Sequence, residues 1–129
     1  VVKMGKLKLE VFNKKGQCAI RINNTKKDKL LNIPYPCGFV RSSKSLVAQT
    51  YNYKEVGQVF IVAGPMVDEK TYKNYDSVKP KHMCSNQGQA IIVQSGNLIL
   101  RQDKNVPLGF CHQLGFDEKD YYGFAYPID

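Results

Sequence analysis

Four cysteines, Cys18, Cys37, Cys84 and Cys111, punctuate a chain of 129 residues. An even set of thiols in a short basic chain reads as a disulfide framework made in an oxidising compartment, because cytosolic thiols are kept reduced. Three pairings are open. The nearest-neighbour one, Cys18 with Cys37 and Cys84 with Cys111, closes two short loops and stabilises by roughly 3 kcal/mol per bridge. Other uses of these residues fit less well. His82 stands two before Cys84 and His112 follows Cys111, whereas zinc ligands adopt C-x2-4-C or H-x3-5-H spacings that let side chains from one turn converge. A Cys–His nucleophilic pair needs a free thiolate, which paired cysteines do not offer. A Cys84–Cys111 bridge would bring the two histidines near one another, and both are expected at the surface.

Between the cysteines the apolar residues alternate. Leu7, Leu9 and Val11 are interleaved with Lys6, Lys8 and Glu10, and after a turn at residues 13–16 the alternation resumes at Cys18, Ile20 and Ile22. This is the period of a half-buried strand, and the pair reads as a β-hairpin. Short strands are expected at 30–33, 37–41 and 46–53, with the most apolar strand at 58–63. Residues 90–94 and 97–101 flank Ser95-Gly96, a tight-hairpin signal. A polar connection at 68–81 is expected to be exposed, with a helical turn or two around 69–75. The other helical candidate is 107–114, where Leu108, Cys111 and Leu114 recur at spacing three, Pro107 suits the first helical position and Gly115 a left-handed cap. The fold class is therefore mainly β: one domain over 1–129, an antiparallel sandwich or open barrel of about seven short strands with one or two short helices. No apolar run approaches the roughly 20 residues that span a bilayer, so a soluble chain is expected. No charged-then-apolar leader opens the sequence, and an export signal is expected either to have been removed already or never to have been present.

The formal net charge is +8. Residues 1–81 hold 16 Lys and Arg against 6 Asp and Glu, and residues 82–129 hold 3 against 5. Lys26, Lys27, Lys29, Lys70 and Lys73 lie in expected turns and connections, where they would steer an anionic partner or simply protect strand edges. Only 3 of the 19 basic residues are arginines, a poor ratio for bidentate recognition of bases or phosphates. With the oxidising compartment, that argues against nucleic acid and for an acidic protein target.

The stretch 116–127 concentrates aromatic rings beside carboxylates. Asp117, Glu118 and Asp120 sit with Tyr121, Tyr122 and Tyr126, the composition of a binding rim, while Phe116 and Phe124 are expected to pack inward. Tyr72 and Tyr75 give the 68–81 connection a similar character. The three carboxylates lie in a polar run where all would stay ionised, unlike a general acid. The signature motifs of hydrolases, P-loop enzymes, zinc proteases and dinucleotide-binding enzymes are absent from the sequence, so a non-enzymatic role is expected, without cofactor or metal. A small hydrolase using His82 or His112 is the catalytic alternative.

Residues 111–116, Cys111-His112-Gln113-Leu114-Gly115-Phe116, resemble the C-x-x-L-G-F element of scavenger-receptor cysteine-rich domains and a similar element of small exported bacterial proteins. The tryptophans and further cysteines of the receptor family are absent, so its ligand sites do not carry over. Residues 60–64 echo the Q-x-V-x-G loop of cystatin inhibitors without its first residue. As a class, the chain resembles small exported bacterial inhibitors and immunity proteins. That resemblance implies a periplasmic or secreted protein that blocks a cell-wall-degrading effector or lysozyme-like hydrolase with loops such as 68–81 or 117–126. A surface module binding anionic glycans or cell-wall polymers through its lysines is the alternative, and a homodimer is the other assembly open to the chain.

Overall fold

The early alternation folds into a four-stranded antiparallel meander: β1 (Val2–Met4), β2 (Leu7–Lys14), β3 (Gln17–Ile22) and β4 (Lys29–Pro34). The computed structural model describes residues 2–4, 7–22, 28–41, 47–74, 79–115 and 118–126. Lys15 and Gly16 join β2 to β3 with both φ angles positive, at 54° and 88°. That is the twist a two-residue hairpin requires. The Asn13 side chain accepts the Gly16 N–H at 2.7 Å. Leu9, Cys18, Ile20, Leu31 and Ile33 point to one face and are buried. On the other face Arg21 lies 4.1 Å above the Phe12 ring and pairs with Asp28, which Lys14 also reaches.

The second sheet is built on two long strands. After β5 (Gly38–Phe39) and β6 (Thr50–Tyr53) come β7 (Gly57–Ala63), β8 (Cys84–Gln94), β9 (Asn97–Leu100) and β10 (Lys104–Cys111). The order is β10-β8-β7-β5, with β6 also on β7 and β9 also on β8, all antiparallel. The two long strands thus each carry two short neighbours end to end. Ser95 and Gly96, again both at positive φ, make the expected turn.

The near-continuous apolar runs of β7 and β8 follow from burial on both faces. Phe60, Val62, Ile91 and Val93 meet the first sheet. Val59, Ile61, Ala63, Ala90 and Ile92 point the other way, where α1 (Glu118–Ala125) covers them with Tyr121, Phe124 and Ala125. The architecture is a sandwich with a helix as third layer, and neither sheet closes into a barrel. Ten strands are present among the described residues, more than the seven or so expected, because Val2–Met4 adds a strand to β2 and Lys104–Cys111 pairs with β8.

Both disulfides join nearest neighbours, over separations of 19 and 27 residues. Cys18–Cys37 ties β3 to the residue preceding β5 and so staples one sheet to the other. Cys84–Cys111 ties directly paired residues of β8 and β10. Gln89 adds a polar tie: buried, it accepts the Asn32 N–H of β4 and donates to the Arg101 carbonyl, both at 2.7 Å.

Two local expectations are corrected. Residues 107–114 are not helical: β10 runs to Cys111 and pairs with β8. Between Asn105 and Phe110 the register slips, and Leu108 adopts φ 49°, so a bulge replaces period two with the spacing of three that resembled a helix. Pro107 sits in the exposed part of this edge strand, where a missing N–H costs no ladder bond. The carboxyl-terminal aromatic stretch, conversely, contains a helix of 8 residues.

Candidate binding surface

Tyr51 and Tyr53 lie two apart on β6 and so share one face of the second sheet. That face receives α1. Tyr121 is fully buried, its ring 4.8 Å from that of Tyr51, and its hydroxyl reaches the Gln49 side-chain oxygen at 3.2 Å. Burial raises the pKa of the Tyr121 phenol, with Tyr51, Asp120 and Tyr53 adding to the effect. Tyr121 therefore anchors the helix and is corrected from partner-binding residue to core residue. Arg101 reaches the end of the helix and donates to the Ala125 carbonyl at 3.2 Å, where a cation also suits the helix dipole.

One position on, the side chains leave the core. Tyr122 is 53% and Tyr126 41% exposed, their ring centroids 4.8 Å apart. Each also packs edge-on against Tyr53, at 5.8 and 5.9 Å. The Tyr53 hydroxyl donates to Glu118 Oε1 at 2.7 Å, and that of Tyr126 to the Lys54 carbonyl at 3.3 Å. Burial, then the bond to Glu118, raises the Tyr53 pKa, so this phenol remains a donor through the physiological range. The outcome is a ridge of three tyrosines whose rotamers are held by one another and by backbone, with the Asp120 carboxylate exposed on the same helix. Beside it an open groove of about 680 Å³ shares Tyr53 and continues over Lys54, Glu55, Gln58 and Gln94.

The remaining expected site residues scatter. Tyr72, on a 3-10 turn at Glu69–Asn74, is buried against the second disulfide with Leu108. Its hydroxyl accepts the Cys84 N–H at 2.8 Å, so it holds the 68–81 connection down and offers no ring to a partner. Lys70 and Lys73 are exposed on that turn, and the Lys29 ammonium donates to the Leu98 carbonyl at 2.6 Å. Lys26, Lys27, Tyr75 and Asp117 lie outside the described residues, as does Phe116, while Phe124 packs inward.

The histidine backbones are neighbours, since the Gln113 N–H donates to the His82 carbonyl. Their rings are engaged apart. His82 Nδ1 accepts the Lys79 N–H at 3.0 Å, and His112 Nε2 lies 3.0 Å from the Gly64 carbonyl. Both are half-buried. Among the described residues no helix is long and apolar enough to cross a membrane. Tyr53 is the site residue that sequence reading missed, although its period-two relation to Tyr51 was a usable signal. Comparisons with protein-family models, with curated proteins and with solved structures each found no match for this chain.

Proposed function

We propose that this chain is a non-enzymatic binding protein of the periplasm or extracellular space that blocks another protein, acting as an immunity protein against a cell-wall-degrading effector. The observation that carries this reading is the ridge in which exposed Tyr122 and Tyr126 are braced against half-buried Tyr53. Tyrosines held in place lose little side-chain entropy on binding and are enriched among the residues that dominate interface energies. The adjoining groove is open and polar, suited to a protein segment more than to an enclosed small molecule. The two disulfides fit an oxidising compartment, and the +8 charge steers the protein toward an acidic target.

The test is inhibition of purified peptidoglycan amidases, muramidases and endopeptidases, read as loss of cell-wall clearing at increasing ratios of this protein. One class should be blocked at equimolar ratio, and Tyr122→Ala with Tyr126→Ala should raise the inhibition constant by about 100-fold or more. Clearing that continues unchanged with every enzyme, or inhibition indifferent to the double substitution, overturns the reading.

A further inference from the structure

A cleft of about 210 Å³ opens between the two sheets beside β5, with a lining separate from that of the tyrosine ridge. Val2 and Val11 form one wall, Phe39 and Ala48 the other, and Arg41 and His112 bring the polar groups. The Arg41 N–H donates to the His112 carbonyl at 2.9 Å, which fixes the two residues side by side. Among the described residues the ion pairs are those of Asp28 with Lys14 and Arg21, so no carboxylate there neutralises Arg41.

His112 has a defined polarity toward this cleft. A carbonyl can only accept, so the contact with Gly64 places the proton on Nε2, and Nδ1 of the neutral ring is left as an acceptor. Burial lowers the His112 pKa against the effect of the Gly64 hydrogen bond, and the nearby Arg41 lowers it further. Gly38 also lines the cleft. A Cβ on Gly38 would stand 3.5 Å from Nδ1 and 3.6 Å from Cε1, and its absence leaves this edge of the ring uncovered.

We propose that the cleft binds a carboxylate flanked by a hydrogen-bond donor and an apolar side chain. The carboxylate meets Arg41, the donor meets His112 Nδ1, and the side chain lies between Val11, Phe39 and Ala48. The volume holds roughly seven water-sized groups at about 30 Å³ each, the scale of one amino-acid-sized body. A phosphate would call for more charge-assisted donors than one guanidinium, and a plain fatty acid would leave Nδ1 unmet. Free N-acyl or 2-hydroxy acids and the C-terminal residue of a peptide share the required chemistry.

The test is a titration of the intact oxidised protein with N-acetyl-leucine at neutral pH, followed by the NMR signals of the Val11 and Ala48 methyls and the His112 Cε1 proton. These should move together and saturate with a midpoint on the order of 1 mM, as is usual for a fragment of this size. Arg41→Gln should weaken binding about tenfold, with Arg41→Lys recovering part of the loss. Gly38→Ala, which sets a methyl in ordinary contact with Nδ1, should weaken it comparably while the thermal midpoint stays put. N-acetyl-leucinamide, lacking the charge, and isocaproate, lacking the donor, should each bind about tenfold more weakly. A leucine-terminated tripeptide that binds as well as N-acetyl-leucine assigns the site to chain ends, and one that is excluded assigns it to free acids. The proposal is overturned by shifts that do not saturate about tenfold above the expected midpoint. Unchanged binding by Arg41→Gln, or equal binding of the amide or of isocaproate, overturns it too.

Discussion

His112 ties its hydrogen-bonding geometry to the pH dependence of stability. Its folded pKa lies below the ordinary 6.5, chiefly because burial disfavours the imidazolium. Above pH 6.5 the ring is neutral in both folded and unfolded chains, and its contribution is fully present. As pH falls through that value the unfolded chain takes up a proton that the fold still refuses. Stability must then decline, by up to about 1.4 kcal/mol per pH unit, until the folded pKa is reached. Urea midpoints measured between about pH 8 and pH 5 should fall on the acid side in the parent. His112→Gln, which can still donate to the Gly64 carbonyl, should remove this part of the slope, and a slope unaltered in the variant would assign the decline to other groups.

At the scale of elements, α1 separates tyrosines that hold the fold from tyrosines that face outward. Tyr121→Ala removes a fully buried ring and should cost about 3–5 kcal/mol. Tyr122→Ala trims an exposed ring that meets Tyr53 edge-on and Tyr126 at a tilt and should cost below about 1.5 kcal/mol. Urea unfolding followed by far-UV circular dichroism checks both values, and equal losses would contradict the layering of α1 on the second sheet. This division was only partly legible in the sequence. The helical face of Tyr121, Phe124 and Ala125 has the spacing of three and four that signals a helix, but the element is short and Gly123 interrupts it. Strands β2, β3 and β4 were legible because their side chains alternate against a single core. The bulge in β10 was not, since it is defined by which β8 residue each β10 residue opposes, a long-range pairing without a local signature. Tyr72 was misread for a similar reason. Its hydroxyl is satisfied by a backbone N–H 12 residues away, and a ring whose polar end has such a partner can be buried without penalty. The ridge itself was half legible: composition gave its helical rings, but their bracing by Tyr53 arises from the docking of the last element onto β6.

Across the whole molecule the two disulfides do different work. Cys18–Cys37 links the sheets, and the Gln89 bond to the Asn32 N–H is its noncovalent counterpart between β8 and β4. Cys84–Cys111 lies within one sheet, where it secures the bulged edge strand and the turn that carries Tyr72. Loops of 19 and 27 residues make each bridge worth roughly 3 kcal/mol by chain entropy. Domains of this size are stable by only about 5–15 kcal/mol, so the pair together supplies a large share of the margin. Replacing either pair of cysteines by alanine should therefore leave a folded protein with a lowered urea midpoint, whereas removing both should leave it largely unfolded at 37 °C. The losses should also differ in kind. Without Cys18–Cys37 amide exchange should accelerate in β4 and β5, where the sheets meet, and without Cys84–Cys111 it should accelerate in β10. Uniform acceleration in both variants would mean that the two bridges act only on the unfolded chain. Localised acceleration would mean that the inter-sheet cleft depends on both bridges, since Gly38 and Phe39 follow Cys37 and His112 follows Cys111, so that N-acetyl-leucine binding should weaken in either variant.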